Sequence, residues 1–493
     1  MLPNPTRTVL CRDPGNRVHA INGYAFQQDA LHTFNGWQYA CFYASLPNGA
    51  ASAPLFVHLS RRQLPAGAWE TLGFDDYPQT VDDGHNTVQL GVCPGDGTIH
   101  LSYDHHCDRI RYRHSIPGVA TCPDKVKWGP ELFTPTLSSL PGLTLSPEVS
   151  ELLSYITYPR FVTHGQNLLF TFRTGKAGLG DDHLCVYSAA NQPDSPKASI
   201  ITASKDSGHD DRSTSISTDY KYTFLGTHLK GISNNPYIHG LDVSPQDGTL
   251  HMTWVYREFV YYDGWDDPAD TKHKMQSGPN SAANNRDICY AWSDDGGVCW
   301  RSSGGRESKG EEEEGKGGKG IVIADLRQGE SILPSSPGIT AFGIPKGSGL
   351  INQEAQAVDR DGGVHVLNRD SMDGGVQRWK HYYKARGEPW TQRALPYVDG
   401  VYGGKRGQLA VSRDGDLYFV LPHHADVVLT VLKATNASRY AEYELVWRGE
   451  GFPPSEPLVD KARLDQDNIL SVFTKVVSKP EGEVDVVVLD FQL

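Results

Sequence analysis

A short hairpin unit recurs along this chain, and that recurrence limits its fold more than any other feature. Asp96-Gly97-Thr98-Ile99-His100-Leu101 is echoed by Asp247-Gly248-Thr249-Leu250-His251-Met252, by Asp361-Gly362-Gly363-Val364-His365-Val366 and by Asp414-Gly415-Asp416-Leu417-Tyr418-Phe419. Asp467-Asn468 before Ile469 is a looser copy, and Gly165-Gln166-Asn167 before Leu168 and Asn35-Gly36 between Phe34 and Trp37 complete a set of seven. Each unit sets Gly, Asp or Asn between two apolar runs, the composition that joins antiparallel strands. Amphipathic helical stretches are scarce, Ser146 to Tyr155 being the best short one. Seven repeated strand pairs in an otherwise helix-poor chain predict an all-β, seven-bladed β-propeller, each unit supplying a blade of about four strands around a central channel. Blades close on one another, so residues 1–493 are expected to form a single domain, where length alone would suggest about three. The run Val484 to Leu489 is expected beside the N-terminal blade.

Two stretches interrupt the repeat. Ser302 to Gly320, with Glu311 to Glu314 among glycines and lysines, reads as a solvated low-complexity surface loop. Ser204 to Lys230 is long and polar, either a functional element of the rim or an insert.

Composition removes several function classes. A net charge of −13 argues against nucleic acid as a partner. It does not favour an acidic polysaccharide either, so an anionic substrate would need a locally basic pocket in an acidic surface. No apolar run approaches the ~20 residues that span a bilayer, and no membrane partner is expected. Met1 to Arg7 lacks a basic stretch followed by an apolar one, so no secretory signal is visible in the numbered chain. The eight cysteines show no CxxC spacing, which speaks against a zinc knuckle or a thioredoxin motif. Cys107 and Cys122 would pair in a secreted protein; buried free thiols are the alternative. The sequon Asn436-Ala437-Ser438 points towards secretion.

In a propeller, the start of each innermost strand and the end of the next share one face, the mouth of the channel. Folding the hairpin around Gly95 and Asp96 puts His85 or Asn86 opposite His105 at that face. The other hairpins put Tyr158 opposite Arg173, Gln353 near Arg369, Lys405 and Arg406 near His423, and Tyr237 near Tyr256 and Arg257. The gathering is rich in cations and phenols and poor in carboxylates. Asp104 and Glu354 come from different blades and make no couple, whereas most glycosidases need two carboxylates flanking the bond. Histidine, tyrosine and arginine together suit β-elimination from a uronate. Arg, His or Asn neutralises the carboxylate and stabilises the developing enediolate; a His or Tyr takes the C5 proton, and an acid protonates the C4 oxygen. For glucuronate, H5 and O4 lie on the same side, so one residue can do both.

These residues also carry a family resemblance. Gly84-His85-Asn86, Asp104-His105-His106, Tyr158-Pro159-Arg160-Phe161, Phe172-Arg173-Thr174-Gly175 with Gly178 and Gly180-Asp181, and Asn235-Pro236-Tyr237 resemble the BNR-repeat propellers that include the ulvan lyases. Within that group the chain is most similar to the fungal L-rhamnose-α-1,4-D-glucuronate lyases, which remove the rhamnose cap from glucuronate side chains of arabinogalactan (gum arabic). The resemblance spans nearly the whole chain. It implies His85 and His105 as active-site histidines, His105 being base and acid. It further implies that His85, Asn86 and Arg173 neutralise the carboxylate, with Tyr158 second in line for proton transfer. Tyr237, Arg369 and His423 are expected to contact substrate. Ala177-Gly178 departs from the commoner Ser-Gly pair of the family. Ser293-Asp294-Asp295-Gly296-Gly297-Val298-Cys299-Trp300 resembles the Asp-box turn of sialidase-like propellers, with Cys where Thr is usual. The implied enzyme is an extracellular monomer that needs no cofactor for its chemistry, with a structural calcium as an expectation drawn from the family. A sialidase-like hydrolase and a non-catalytic glycan-binding propeller are the competing readings.

Overall fold

The computed structural model describes residues 1–23, 29–46, 54–143, 146–189, 221–267, 278–303, 320–397, 405–423, 427–478 and 482–493. Their strands form seven antiparallel sheets. One cavity is lined by a residue from the innermost strand of every sheet: Leu31, Leu90, Phe161, Leu241, Ala355, Gln408 and Val459. The sheets are therefore blades around an axial channel, the architecture expected from the repeat.

Each repeated hairpin supplies the two innermost strands of a blade. Leu31–Phe34 and Trp37–Ala44 begin the first, Val88–Val92 and Ile99–Tyr103 the second, and Ile156–His164 and Asn167–Thr174 the third. Asn234–Val243 with Leu250–Glu258, Ala355–Val358 with Val364–Asp370, and Gln408–Val411 with Leu417–His423 follow. In the last blade, Leu458–Val459 is followed by a helix, Lys461–Asp467, before Ile469–Ser478. That helix, capped by the Asp460 side chain, is an addition to the plain turn read from Asp467-Asn468. Among the described residues the other α-helix, Pro147–Leu152, starts where expected, with Ser146 Oγ accepting the Val149 N–H.

The ring closes on its two ends. Thr6–Arg12 is the outer strand of the last blade and pairs with Glu483–Gln492, with Thr6 opposite Asp490. The C-terminal run thus meets the N-terminal strand within one sheet, rather than merely flanking the first blade. Loss of either strand would expose an unpaired edge of a ring.

The recurring histidine has a structural task. His251 Nδ1 lies 2.8 Å from the Tyr290 hydroxyl, and His365 Nδ1 lies 2.9 Å from His381 Nε2. Thr98 Oγ1 accepts no such load alone: it lies 2.6 Å from His100 Nε2, and it donates to Asp96 at 2.7 Å. In each case a histidine on the second strand ties the turn or the third strand to the blade. The Asp-box turn does the same on the backbone, with Ser293 Oγ accepting from Gly297 N–H at 2.9 Å and Asp295 Oδ1 from Cys299 N–H at 2.7 Å.

Inner strands of neighbouring blades converge at the channel and leave little room for side chains. A Cβ on Gly91 would sit 2.6 Å from the Phe161 Cβ of the next blade, and one on Gly240 would sit 2.4 Å from that of Gln356. Glycine at these two positions is dictated by close approach of strands.

Lys221–Leu229, the end of the polar stretch from Ser204, is the outer strand of the third blade. Its register sets Ser188 opposite Lys221, at the end of the blade away from the Arg173–Asp182 pair, and Leu229 opposite Asp182, at the end that bears that pair. Residues 204–220, and 304–319 of the Glu-rich stretch, lie outside the described residues. All eight cysteines are free thiols. Cys107 does not pair with Cys122; its Sγ donates to the Gly175 carbonyl.

Candidate active site

The mouth of the channel is built from the residues just before each inner strand and just after the second. Ahead of the second blade, Asp83 folds its own turn: its carbonyl accepts from Asn86 N–H and its Oδ1 from His85 N–H at 2.9 Å. This is an Asx turn, the local motif by which an aspartate holds the backbone two residues on. The same Oδ1 is 2.6 Å from His85 Nδ1.

The hairpin leaves its ladder at Asp104, whose φ is +64°, and Cys107 follows at +58°. Two left-handed residues end the strict alternation of side chains. His106–Asp108 then pairs with the inner strand of the third blade, with His106 opposite Thr157. The result overturns one expectation. His105 is 1% exposed, with its Nε2 accepting the Arg111 backbone N–H at 2.8 Å. It is His106 whose Nδ1 lies 2.6 Å from Asp83 Oδ2 and whose ring stacks on His85, centroids 3.8 Å apart and 17° from parallel.

Tyr158 sits at a bulge between Thr157 and Arg160, with φ +56°. A left-handed tyrosine inside a strand is a strained conformation of the kind that accumulates at functional sites. The bulge brings the Tyr158 ring to 5.7 Å from that of His85 and 5.9 Å from that of Tyr237. Arg173 lies 4.9 Å from the Tyr158 ring and 5.0 Å from the Tyr237 ring. It is 2% exposed and donates Nη2 to the Gly175 carbonyl, and among the described residues no carboxylate hydrogen-bonds to it. Arg257 continues the arc, 4.5 Å over Tyr237 and donating to its hydroxyl and to Asn352 Oδ1. Arg406 donates to the Asn352 carbonyl and to Glu456. Histidines, phenols and guanidinium groups therefore share one face, as the hairpin folding anticipates, and the arginines gather positive charge there on an otherwise acidic chain.

Of the remaining expected residues, two are turned inward and one stays at the mouth. Asn86 is 1% exposed and donates to Asp104 at 2.7 Å, anchoring the turn behind His85 rather than facing a ligand. Arg369 is also 1% exposed, bound to Glu354 and to the Lys405 carbonyl and stacked on Trp379. It braces the fifth blade against the sixth. His423 ends the second strand of the sixth blade, opposite Val428, on the mouth side. Asp83 and His106 had no assigned role in the sequence reading. The Asp-x-His turn is a signal that would have found Asp83; the His105-His106 doublet offers no local basis for choosing between its members.

Electrostatics sharpen the pair. Burial opposes the charge on Asp83, but hydrogen bonds from His106 and His85 outweigh it and hold the carboxyl well below the usual range. Burial pulls His106 down to about 4, with the neighbouring His85 adding to it. Burial likewise lowers His85, Asp83 works against that, and Arg173 and Arg406 lower it further. Both imidazoles are neutral at pH 7. An ionised carboxylate only accepts, so each Nδ1 carries the hydrogen and each Nε2 is left as a base. Burial raises the Tyr158 phenol. Burial would raise Tyr237 too, but Arg257 and Arg173 outweigh it and bring that phenol below its ordinary value.

Carboxylates are committed elsewhere. Asp104 accepts from Tyr77, Asn86 and Gln79. Glu354, raised to about 7 by burial, is held by Arg369 and the Gly407 N–H. No carboxylate couple flanks an open space among these mouth residues.

Asp83, His85 and His106 are also the one cluster among the described residues with the makings of a metal site. Their spacing fits hydrogen bonds better. Two ligands of one tetrahedral zinc at ordinary bond lengths stand ~3.3 Å apart, whereas each Nδ1–carboxylate distance is 2.6 Å. Calcium takes six to eight oxygen ligands, which this nitrogen-rich trio does not supply.

The sequence pattern of the BNR repeat-containing family matches residues 37–397. Among curated proteins, the short-isoform ulvan lyase of Alteromonas sp. (strain LOR) is 31% identical over 169 residues, covering 28% of this chain and 32% of that protein. The long-isoform ulvan lyase of Pseudoalteromonas sp. (strain PLSV) is 25% identical over 308 residues, covering 56% of this chain and 26% of that protein. The chain thus spans about a third or less of the length of these relatives. Among solved structures, polysaccharide lyase Uly1 superposes with a TM-score of 0.61 at 15% identity, over 100% of this chain and 99% of that one, a likeness of fold.

Proposed function

The chain belongs to the BNR repeat-containing family, and from that premise we propose that it is a polysaccharide lyase that opens a uronate-containing glycan by β-elimination. The observation that carries this reading is the pairing of a neutral, Asp83-anchored histidine couple with Arg173, a buried guanidinium to which no carboxylate of the described residues hydrogen-bonds. A buried cation without an anionic partner is costly, and a substrate carboxylate would supply that partner. Neutralised in this way, the uronate C5–H becomes acidic enough for an imidazole to remove it.

His85 is the base of this reading, since its side chain is 27% exposed against 8% for His106. Its Nε2 takes the C5 proton, the C–H electrons form the C4–C5 double bond, and the C4–O bond breaks with its electron pair. The protonated His85 then returns the proton to the leaving oxygen, which lies on the same side of a glucuronate ring. Tyr158, beside His85, is the second donor for that oxygen. Tyr237 and Arg257 wall the pocket on the far side of Arg173.

The finer proposal is that the linkage is rhamnosyl-α-1,4-glucuronate in arabinogalactan side chains, cut outside the cell by a monomeric enzyme. The support is the resemblance of the motifs around His85, Tyr158, Arg173 and Tyr237 to those of the rhamnose–glucuronate lyases. The chemistry as drawn uses no cofactor. A hydrolase of sialidase type would want a glutamate activating a tyrosine; Tyr237 instead takes its hydrogen bond from Arg257.

One assay separates the readings. Gum arabic is incubated with the protein while ultraviolet absorbance and free rhamnose are followed together. Elimination gives both signals in step, from an unsaturated uronate left on the polymer. Rhamnose without absorbance means hydrolysis, and binding with neither means a lectin-like propeller.

A further inference from the structure

We propose that Asp83 is a positioning residue that couples His85 and His106 into one unit carrying a single proton. The inference rests on the elimination reading and adds the part of the machinery that decides which nitrogen is the base. One carboxylate faces two Nδ1 atoms, each at 2.6 Å, with a different oxygen for each. Asp83 is 6% exposed, and its Oδ1 also takes the His85 backbone N–H, so the carboxylate cannot swing away from the pair without breaking its own turn. Both rings are thereby held as Nδ1–H tautomers, which puts the basic electron pair on Nε2.

The stacking adds a second constraint. Ring centroids at 3.8 Å bring any two imidazolium charges into repulsion across a dry contact. Asp83 carries one negative charge and can balance one of them. Arg173 and Arg406 are cations and oppose a second proton; the Asp108 carboxylate, which accepts the His106 backbone N–H at 3.2 Å, is an anion beside the same loop and is spent on that backbone. The unit therefore accepts one proton and resists another. When the C5 proton arrives on Nε2 of His85, Asp83 stabilises the imidazolium through the Nδ1–H bond, as a buried aspartate does for a catalytic histidine in a serine-protease triad. His106, still neutral, keeps that charge from spreading inward, and the unit resets only by passing the proton to the leaving oxygen. A histidine without this carboxylate would lack the fixed tautomer and the local anion that stabilises its protonated form.

The test is nitrogen-15 NMR of histidine-labelled protein, read beside kinetics. In the unmodified protein both rings should show the Nδ1–H tautomer at pH 7, and acid titration should add one proton to the pair before any second. Asp83→Asn should turn at least one ring to the Nε2–H tautomer, because an amide NH2 must face one of the two Nδ1 atoms. Turnover should then fall by about 10³–10⁴-fold with KM changed little, the pattern of a triad aspartate replaced by asparagine, and Asp83→Glu should recover part of it. Unchanged tautomers in Asp83→Asn, or simultaneous protonation of both rings in the unmodified protein, would overturn the proposal. Should Asp83→Asn fail to fold, the titration of the unmodified protein decides alone. Absence of unsaturated product from the unmodified protein would count against the elimination reading and leave the tautomer result to be judged on its own.

Discussion

The His106 ring lies against that of His85, centroids 3.8 Å apart, while the adjacent His105 binds a backbone N–H of its own loop. Neighbours in sequence thus have opposite fates, one in the mouth and one in the wall. Substitutions should separate them. His85→Gln and His106→Gln should each lower kcat by about 10²–10⁴-fold, the usual worth of a positioned acid–base group, with melting temperatures close to the parent. His105→Phe should keep most of the turnover and lose stability, because it strands the Arg111 N–H, a loss of about 1–3 kcal/mol. Thermal unfolding and initial rates on the three variants check this. Retained turnover in His106→Gln would remove that residue from the site.

Arg173 has a planar group wedged between two aromatic faces and ready for a carboxylate. Lysine keeps the charge and loses the plane and the fork of donors. Arg173→Lys should therefore lower kcat/KM by about 10²–10³-fold, the range for loss of a single donor to a developing oxyanion. Rates on a neutral methyl ester of the substrate should fall far less, since an ester no longer needs neutralising. Equal losses on acid and ester would argue that Arg173 only holds the pocket in shape.

Several histidines are folded away in neutral form. Burial brings His239 to about 3 and His183, His251 and His106 to about 4. In an unfolded chain histidine titrates near 6.5. As pH falls below that value the unfolded state takes up protons that the folded state refuses, so the unfolded state gains. The stability these residues contribute is complete above about pH 6.5 and declines progressively towards pH 4. Melting temperatures measured between pH 7.5 and 4.5 should drop steadily through this window, with a slope that His251→Gln reduces. A flat profile would mean that these rings exchange protons freely in the folded state.

The blade junction at Gly91 offers a test of packing remote from the chemistry. Gly91→Ala introduces a Cβ at 2.6 Å from Phe161 Cβ, and the inner strands of two blades must part to admit it. Overpacking of this kind costs about 1–3 kcal/mol. Denaturant unfolding should show that loss, and Phe161→Leu in the same protein should recover part of it.

A chelator bears on the choice between hydrogen bonds and a metal at Asp83, His85 and His106. Dialysis against EDTA should leave turnover on a uronate substrate unchanged, and added zinc should inhibit by competing with protons for Nδ1. Activity lost on dialysis and restored by one divalent ion would replace the hydrogen-bonded reading with a metal centre.

Much of this arrangement was legible from residues close together in the chain. Hairpin turns such as Asp96-Gly97 and Asp361-Gly362 mark where strands reverse, and reversal fixes which residues share an end. That reasoning brought Tyr158 beside Arg173 and Tyr237 beside Arg257, and the structure places both pairs at the mouth. It misjudged Arg369 and Asn86, because a polar residue at a strand end can be spent on a neighbour as readily as on a ligand. Glu354 and Asp104 claim them here. The polar stretch from Ser204 to Lys230 stayed open between a rim element and an insert, because composition does not report that its last part is a strand; the register, with Lys221 opposite Ser188 and Leu229 opposite Asp182, does.

By itself, the sequence determined the number of blades, the turns between their strands and the set of side chains available to the mouth, since each follows from local turn chemistry and a period of two. The choice between His105 and His106 belonged to the tertiary structure. A shift of one residue sends a strand's side chains to the other face. Here the shift comes from left-handed residues at Asp104 and Cys107, which the third blade supports by pairing His106 with Thr157. That pairing joins two blades 51 positions apart in the chain (157 less 106), and no local pattern around the hairpin encodes it.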